Sequence, residues 1–288
     1  MRMKNIKKKI LVSALCLLPI LVSGCDLSIN VNEKDQKETI DNGSTKVEEL
    51  NINDSEIQNL IKNTFFSDSY EYVDVYADEI NKIYFQNHFD INSMSNYQRN
   101  VLVTLYYNYK KYTDSYMCPK NASEICSKVL DVDNYQKYMN ELFGPSYNYV
   151  QPTTTESTEH NCIINYEQDL QKYVFYNCGM GGPANIQRYN KAVSAKKDKS
   201  NNLIIVNIKS FYAEFNHYDD SGIYFDIKSN GQLVDTNNSN LNNINFDYDV
   251  MKSKYNDLFD KYSDKAEEYQ FTYKLDGNNY YLFSIDKL

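Results

Sequence analysis

The side chains best suited to chemistry in this chain lie within Asn216–Gly222, "NHYDDSG", where His217, Asp219 and Asp220 stand close together. An imidazole beside carboxylates can exchange a proton near neutral pH, and the carboxylates can offer oxygen ligands to a cation. The simpler expectation is a polar loop joining two strands. Asp235–Asn243, "DTNNSNLNN", begins like a calcium loop, but Asn240 stands where glycine is required and Phe246 where the closing glutamate belongs. Cys178–Asn185, "CGMGGPAN", could turn backbone amides toward an anion, yet no strand-to-helix context surrounds it. There is no G-x-S-x-G, no H-E-x-x-H and no S-x-x-K with partners. Paired carboxylates are too common in so acidic a chain to single out a site. No catalytic residue and no cofactor is assigned on these grounds.

A second kind of chemistry concerns the amino terminus. Arg2, Lys4, Lys7, Lys8 and Lys9 precede the apolar run Ile10–Val22, which is too short for a permanent membrane span. The run ends in Val22-Ser23-Gly24-Cys25, "VSGC". This arrangement resembles the lipobox of bacterial lipoproteins, with valine in place of the preferred leucine. The resemblance covers roughly the first 25 residues. It implies cleavage before Cys25, a diacylglyceryl group on the Cys25 thiol, and a protein held by lipid on the extracytoplasmic face of the cell membrane. A second acyl chain is what makes such anchoring stable. Cys16 leaves with the signal and receives no role.

The remaining cysteines are Cys118, Cys126, Cys162 and Cys178. Four cysteines in an exported chain point to two disulfides. A hairpin centred on Leu170 places Cys162 opposite Cys178, Ile164 opposite Tyr176 and Tyr166 opposite Val174, on one face. Cys118 and Cys126 then close the loop "CPKNASEIC", and each bridge contributes about 2–3 kcal/mol in the chain-entropy picture. A metal site is not expected. No C-x-x-C occurs, and the histidines are only His88, His160 and His217. Nor is Cys162 with His160 expected to be a nucleophile pair, because a disulfided cysteine cannot attack.

These groups need a scaffold. Residues 26–50 are charged and poor in large apolar groups, and read as a flexible stalk behind the lipidated cysteine. Residues 51–288 are expected to form one domain, helical over about 51–145 and sheet-rich over about 146–288. A first helix opens at Asp54-Ser55-Glu56, with Ile57, Leu60 and Ile61 on one face. Ser95 and Gln98 make a capping box ahead of the stripe Leu102, Leu105, Tyr106 and Tyr109. A further helix is capped by Asp133 with Gln136, carries the stripe Tyr135, Tyr138, Met139 and Leu142, and stops at Gly144-Pro145. Residues 70–90 are ambiguous. Period-two alternation then governs 162–167, 173–178, 187–196, 203–213 and 222–227. A late helix shows Met251, Tyr255, Leu258, Phe259 and Tyr262 on one face. Asn230-Gly231 and Asp276-Gly277 are hairpin turns.

Helices first and a mostly antiparallel sheet afterwards, with one late helix, define an α+β class. The element order is similar to small cystatin-like or NTF2-like folds. The lack of βαβ alternation excludes a doubly wound nucleotide-binding domain and the lobes of a transporter solute-binding protein.

Losing residues 1–24 removes five positive charges and no negative one, taking the net charge from -9 to -14. Such a surface repels phosphate backbones, so no nucleic-acid partner is expected. The 28 tyrosines suggest either a sugar-binding surface or tyrosines used as core residues. The absence of tryptophan favours the core.

Element order and AT-rich composition resemble uncharacterised lipoproteins of low-GC Gram-positive bacteria, which implies the outer face of the cytoplasmic membrane. The lipid anchor, the stalk and a disulfided domain without catalytic motifs point to an envelope binding or interaction module, with an envelope protein or a glycan as partner. The alternatives are a carboxylate-dependent envelope hydrolase built on His217, Asp219 and Asp220, or an accessory subunit docking on a membrane complex.

Overall fold

Ser95 begins the most regular element of the chain. Its hydroxyl accepts from the Gln98 amide at 3.2 Å, and the Gln98 side chain accepts from the Ser95 amide at 2.9 Å, a complete capping box. In this computed structural model, which describes residues 47–67, 72–73, 77–119, 126–156, 163–176, 186–219, 222–239, 257 and 259–288, the helix that follows is α3, Asn96–Tyr109. The expected single stripe on α3 is corrected. Asn100 through Tyr107 are all buried, because other helices and a strand enclose the helix. Helix α1 is Ser55–Phe65 and buries Ile57, Ile61 and Phe65. Helix α2, Ala77–Tyr84, occupies the stretch left ambiguous by sequence.

Helix α4, Val132–Phe143, forms where its stripe predicts, but not with the predicted cap. Asp131 holds the cap position and makes an ion pair with Lys172 instead of a cap bond. Asp133 sits in the first turn, where its charge favours the helix dipole. Gln136 reaches forward to Asn140 at 2.8 Å rather than back. Gly144 ends the helix with φ +100°.

The strands form two sheets. The larger has the order β1 (Val47–Leu50), β8 (Ile186–Asp198), β9 (Leu203–Asp219), β12 (Glu267–Asp276), β13 (Asn279–Lys287) and β3 (His88–Asp90). Strand β9 is long enough to pair with β12 through its first half and with β10 (Gly222–Ser229) through its second, both on the side away from β8. Strand β11 (Gln232–Ser239) extends beyond β10, and the two-residue strand β2 (Tyr72–Val73) pairs with β8. All described pairings are antiparallel. Asn230 and Gly231 turn the β10–β11 hairpin with φ of 53° and 70°, as a type I′ turn needs. Strand β1 corrects the stalk expectation at its end. Val47–Leu50 is ordered as a strand on β8, helped by the Glu48–Lys199 ion pair at 2.7 Å and by Leu50 packing on the core.

The smaller sheet is β4 (Tyr116–Met117), β5 (Cys126–Leu130), β7 (Lys172–Tyr176) and β6 (Ile164–Glu167), in that order. Strands therefore interrupt the expected helical half. The β6–β7 register is also corrected. Ile164 faces Phe175 and Tyr166 faces Tyr173, one residue away from the expected pairing. The turn is four residues, Gln168–Gln171, with Gln171 at φ 51°, so no residue sits at its centre. Tyr173 consequently joins the main core, and Val174 turns to the opposite side beside Val129.

Two cores flank the large sheet. The main one gathers α1 to α4 over both sheets. The other contains Tyr189, Phe211, Ala213, Ile227, Phe259 and Tyr262. Phe259 and Tyr262 of the expected late helix are thus buried together, while Met251, Tyr255 and Leu258 lie outside the described residues. Among the described residues eleven tyrosines are buried. Burial of such a ring contributes about 1.5–3 kcal/mol when its hydroxyl is satisfied. Tyr135 donates to Asn100, and Tyr273 to Thr64 at 3.0 Å, whose own hydroxyl is committed to the Leu60 carbonyl. Eleven of the 28 tyrosines thus serve as core residues.

Candidate functional site

A cleft of about 360 Å3 opens between α1, α4 and the tip of the β12–β13 hairpin. Helix α1 buries one face, so Glu56, Asn59, Leu60 and Asn63 line the cleft. Glu141 and Leu142 come from α4, and Asn278 to Leu282 from the hairpin. Tyr84, Tyr106, Thr64 and Tyr273 reach it from the core side. The hairpin is held in place by Asp276, whose carboxylate accepts from the Ser146 amide and hydroxyl, both at 2.7 Å.

The Glu141 carboxylate accepts from Tyr106 at 3.3 Å and from Tyr112, and lies 3.9 Å from Lys137. Burial, together with the bond to Glu141, pushes the Tyr112 hydroxyl up to about 12. Burial also raises Tyr84, Tyr106 and Tyr273 well above the usual tyrosine value. These phenols stay protonated near neutral pH and act as hydrogen-bond donors, not bases. Among the described residues no Lys, Arg or His lines this cleft, although Lys110 bonds Asn63 at 3.1 Å and lies 5.4 Å from the Tyr106 ring centre. Two further cavities adjoin it. One, of about 420 Å3, is bounded by α4 and Pro145; the other, of about 300 Å3, lies beside Ile91, Ser146 and Lys274.

The sequence-predicted residues lie elsewhere. His217 is exposed on β9, stacked on Tyr224 at 4.3 Å between ring centres, with its Nδ1 3.0 Å from Asn216 Oδ1. It lines none of these three cavities. The Asp219 backbone pairs with Gly222 at the end of the β9–β10 hairpin, and Asp220 lies outside the described residues. Cys118 and Cys126 form a disulfide with Cα atoms 6.1 Å apart, packed beside Val129 and Val174. Cys25, Cys162 and Cys178 lie outside the described residues, as does the whole lipobox. Among the described residues no cluster of His, Cys, Asp and Glu is arranged to hold a metal ion, and no helix is long and apolar enough to cross a membrane.

Sequence reasoning missed Glu56, Asn59, Glu141 and Tyr281, because they meet only through tertiary contacts. The run "DGNNYY", Asp276–Tyr281, carried the one local signal: two amides and two adjacent tyrosines crowded onto a hairpin tip.

Comparison with known proteins finds no matching family model, no similar curated protein and no similar solved structure. The likeness in element order to cystatin-like and NTF2-like folds therefore has no structural neighbour behind it.

Proposed function

We propose that this chain is a lipid-anchored, extracytoplasmic binding module of the cell envelope, and that its ligand occupies the cleft between α1, α4 and the β12–β13 hairpin. The observation that carries the reading is the chemistry of that cleft. It offers amides, protonated phenols and carboxylates around a small apolar patch, the mixture that orients a ligand by hydrogen bonds. Its size falls at the lower end of the roughly 300–1,000 Å3 range of small-molecule sites. The basic segment, apolar run and Cys25 support the anchor, and the acidic mature chain leaves anchoring to the lipid rather than to charge.

The test has two parts. In a bacterial host, the wild-type chain should incorporate a labelled fatty acid and fractionate with membranes, while Cys25→Ala should do neither. Native mass spectrometry of the exported protein should detect a retained small molecule that Leu60→Trp, which fills the cleft, no longer holds. An unlabelled wild type would remove the anchor, and a ligand equally retained by Leu60→Trp would remove the cleft.

A second reading rests on Glu56 and Glu141, which both line the cleft. Two carboxylates beside a ligand suit a hydrolase. Glu141 is already engaged by two phenols and Lys137, which favours the binding role.

A further inference from the structure

We infer that the ligand is a neutral oligosaccharide, held with Tyr281 as its central platform; this rests on the binding-module reading above. Tyr281 lines all three cavities, so they share this one residue. Each is small for a ligand site and suits one ring-sized group, so together they suit a short oligomer. Tyr281 differs from the buried tyrosines. It is half-buried, and among the described residues its ring stacks on no other and its hydroxyl has no hydrogen-bond partner. An aromatic face left open in this way accepts the C–H face of a sugar ring.

The groups around it match hydroxyls. Asn59, Asn278 and Asn279 carry amides that bond no other described side chain or backbone group, and each amide both donates and accepts, as a hydroxyl does. Gln136 occupies only the oxygen of Asn140, leaving its amide nitrogen for the ligand. Charge sets the class. Glu56, Glu141, Asp133 and Asp276 outnumber Lys137 and Lys274 around the three cavities, so phosphorylated, sulfated or uronic sugars are repelled. The rival is an extended peptide. Strand β3 pairs with β13 only at residues 284–286, so the outer edge at 279–283 has no strand partner among the described residues. Two of the cavities there carry mostly polar residue types where a peptide strand needs apolar pockets, and only the third, beside Ile91, Phe143 and Phe283, is largely apolar.

The experiment uses the full chain in detergent, titrated with cellotetraose, maltotetraose and the tetramer of N-acetylglucosamine, each beside its monosaccharide. Saturation-transfer NMR and calorimetry give binding, and mass spectrometry of the sugar reports cleavage. At least one tetramer should bind tenfold or more tighter than its monosaccharide. Tyr281→Ala should weaken it at least tenfold, Tyr281→Phe less than threefold, and Asn59→Ala by an intermediate factor, with the unfolding midpoint unchanged. Equal affinity for monosaccharide and tetramer, or a Tyr281→Ala variant that binds as wild type, overturns the proposal. So does the absence of binding by every tetramer. If extended peptides bind instead and lose affinity in Tyr281→Ala, the glycan class fails while the binding module stands. If a tetramer is cleaved, the binding-module reading fails in favour of the hydrolase.

Discussion

Gly144 and Asp276 are in van der Waals conflict with any side chain at position 144. A Cβ built there would lie 2.5 Å from Asp276 Oδ2, and the backbone has φ +100°. The same Oδ2 accepts from the Ser146 amide. The end of α4 and the hairpin tip are therefore locked by one carboxylate, and the cleft walls they form are locked with them. Gly144→Ala should destabilise the fold by about 1–3 kcal/mol through strain and displacement of Asp276. Asp276→Ala removes the 2.5 Å clash with the carboxylate and the hydrogen bonds together, leaving the 3.2 Å approach of its Cβ and the φ of +100°, so the two substitutions should be non-additive in urea unfolding. Simple additivity would show that the contact carries no strain.

How legible this contact was illustrates the limits of the sequence. Gly144-Pro145 announced a helix end, and Asp276-Gly277 announced a hairpin, each from local chemistry. Nothing local said that the two would touch. The Ser95–Gln98 box and the Asn230-Gly231 turn were legible for the same reason, since their partners lie within three residues. The α4 cap was misplaced by two positions because Asp131 and Asp133 are chemically equivalent, and the distant Lys172 engages Asp131. The β6–β7 register slipped by one because a glutamine, Gln171, takes the left-handed position that glycine or asparagine would have advertised. The cleft was illegible because α1, α4 and β13 supply it from separate parts of the chain.

Buried tyrosines make the fold sensitive to alkali. Burial raises the folded-state pKa of Tyr269 to about 12, and it holds Tyr84, Tyr135 and Tyr273 well above the 10.0 of a free phenol too. A phenol raised in this way contributes stability that is fully present below about pH 10 and is lost as the pH climbs through the folded value, because only the unfolded chain ionises easily. Tyrosinate absorbance should rise in two stages. The first stage should begin where a free phenol ionises, near pH 10. The second should follow in step with loss of far-ultraviolet helix and sheet signal. A single transition near pH 10 with structure retained would contradict the burial.

Glu267 should tolerate substitution less well than its partner Arg188. The pair is buried at 3.6 Å, and Glu267 also meets Lys287 at 2.6 Å. Burial opposes the charge on Arg188, while Tyr269 and Glu267 support it; its guanidinium also donates to Asn81 and Ser210 and lies 3.8 Å from the Phe85 ring centre. Glu267→Gln leaves this buried cation without its counter-charge and should cost about 3–5 kcal/mol. Arg188→Met leaves Glu267 with Lys287 and keeps an apolar group under Phe85, so the loss should be smaller. Urea unfolding decides the order, and a more damaging Arg188→Met would mean that the Asn81 and Ser210 bonds outweigh the ion pair.

The Cys118–Cys126 bridge offers a way to weigh the second expected bridge separately. It closes a short loop, its cysteines eight positions apart in sequence, and packs beside Val129 and Val174. Replacing both cysteines with serine should cost about 2–3 kcal/mol from loop entropy. Dithiothreitol should then cause a further loss in this variant only if Cys162 and Cys178 are also bridged, since no other pair would remain in a chain processed at Cys25 as proposed. The observed β6–β7 register makes this informative. Continued by two residues, it would set Cys162 opposite Asn177 and turn the Cys178 side chain to the other face of the ladder. A bridge there requires the ladder to shift beyond the paired residues 164–167 and 172–176. A variant indifferent to dithiothreitol would mean that the register runs on unchanged and leaves Cys162 and Cys178 as thiols.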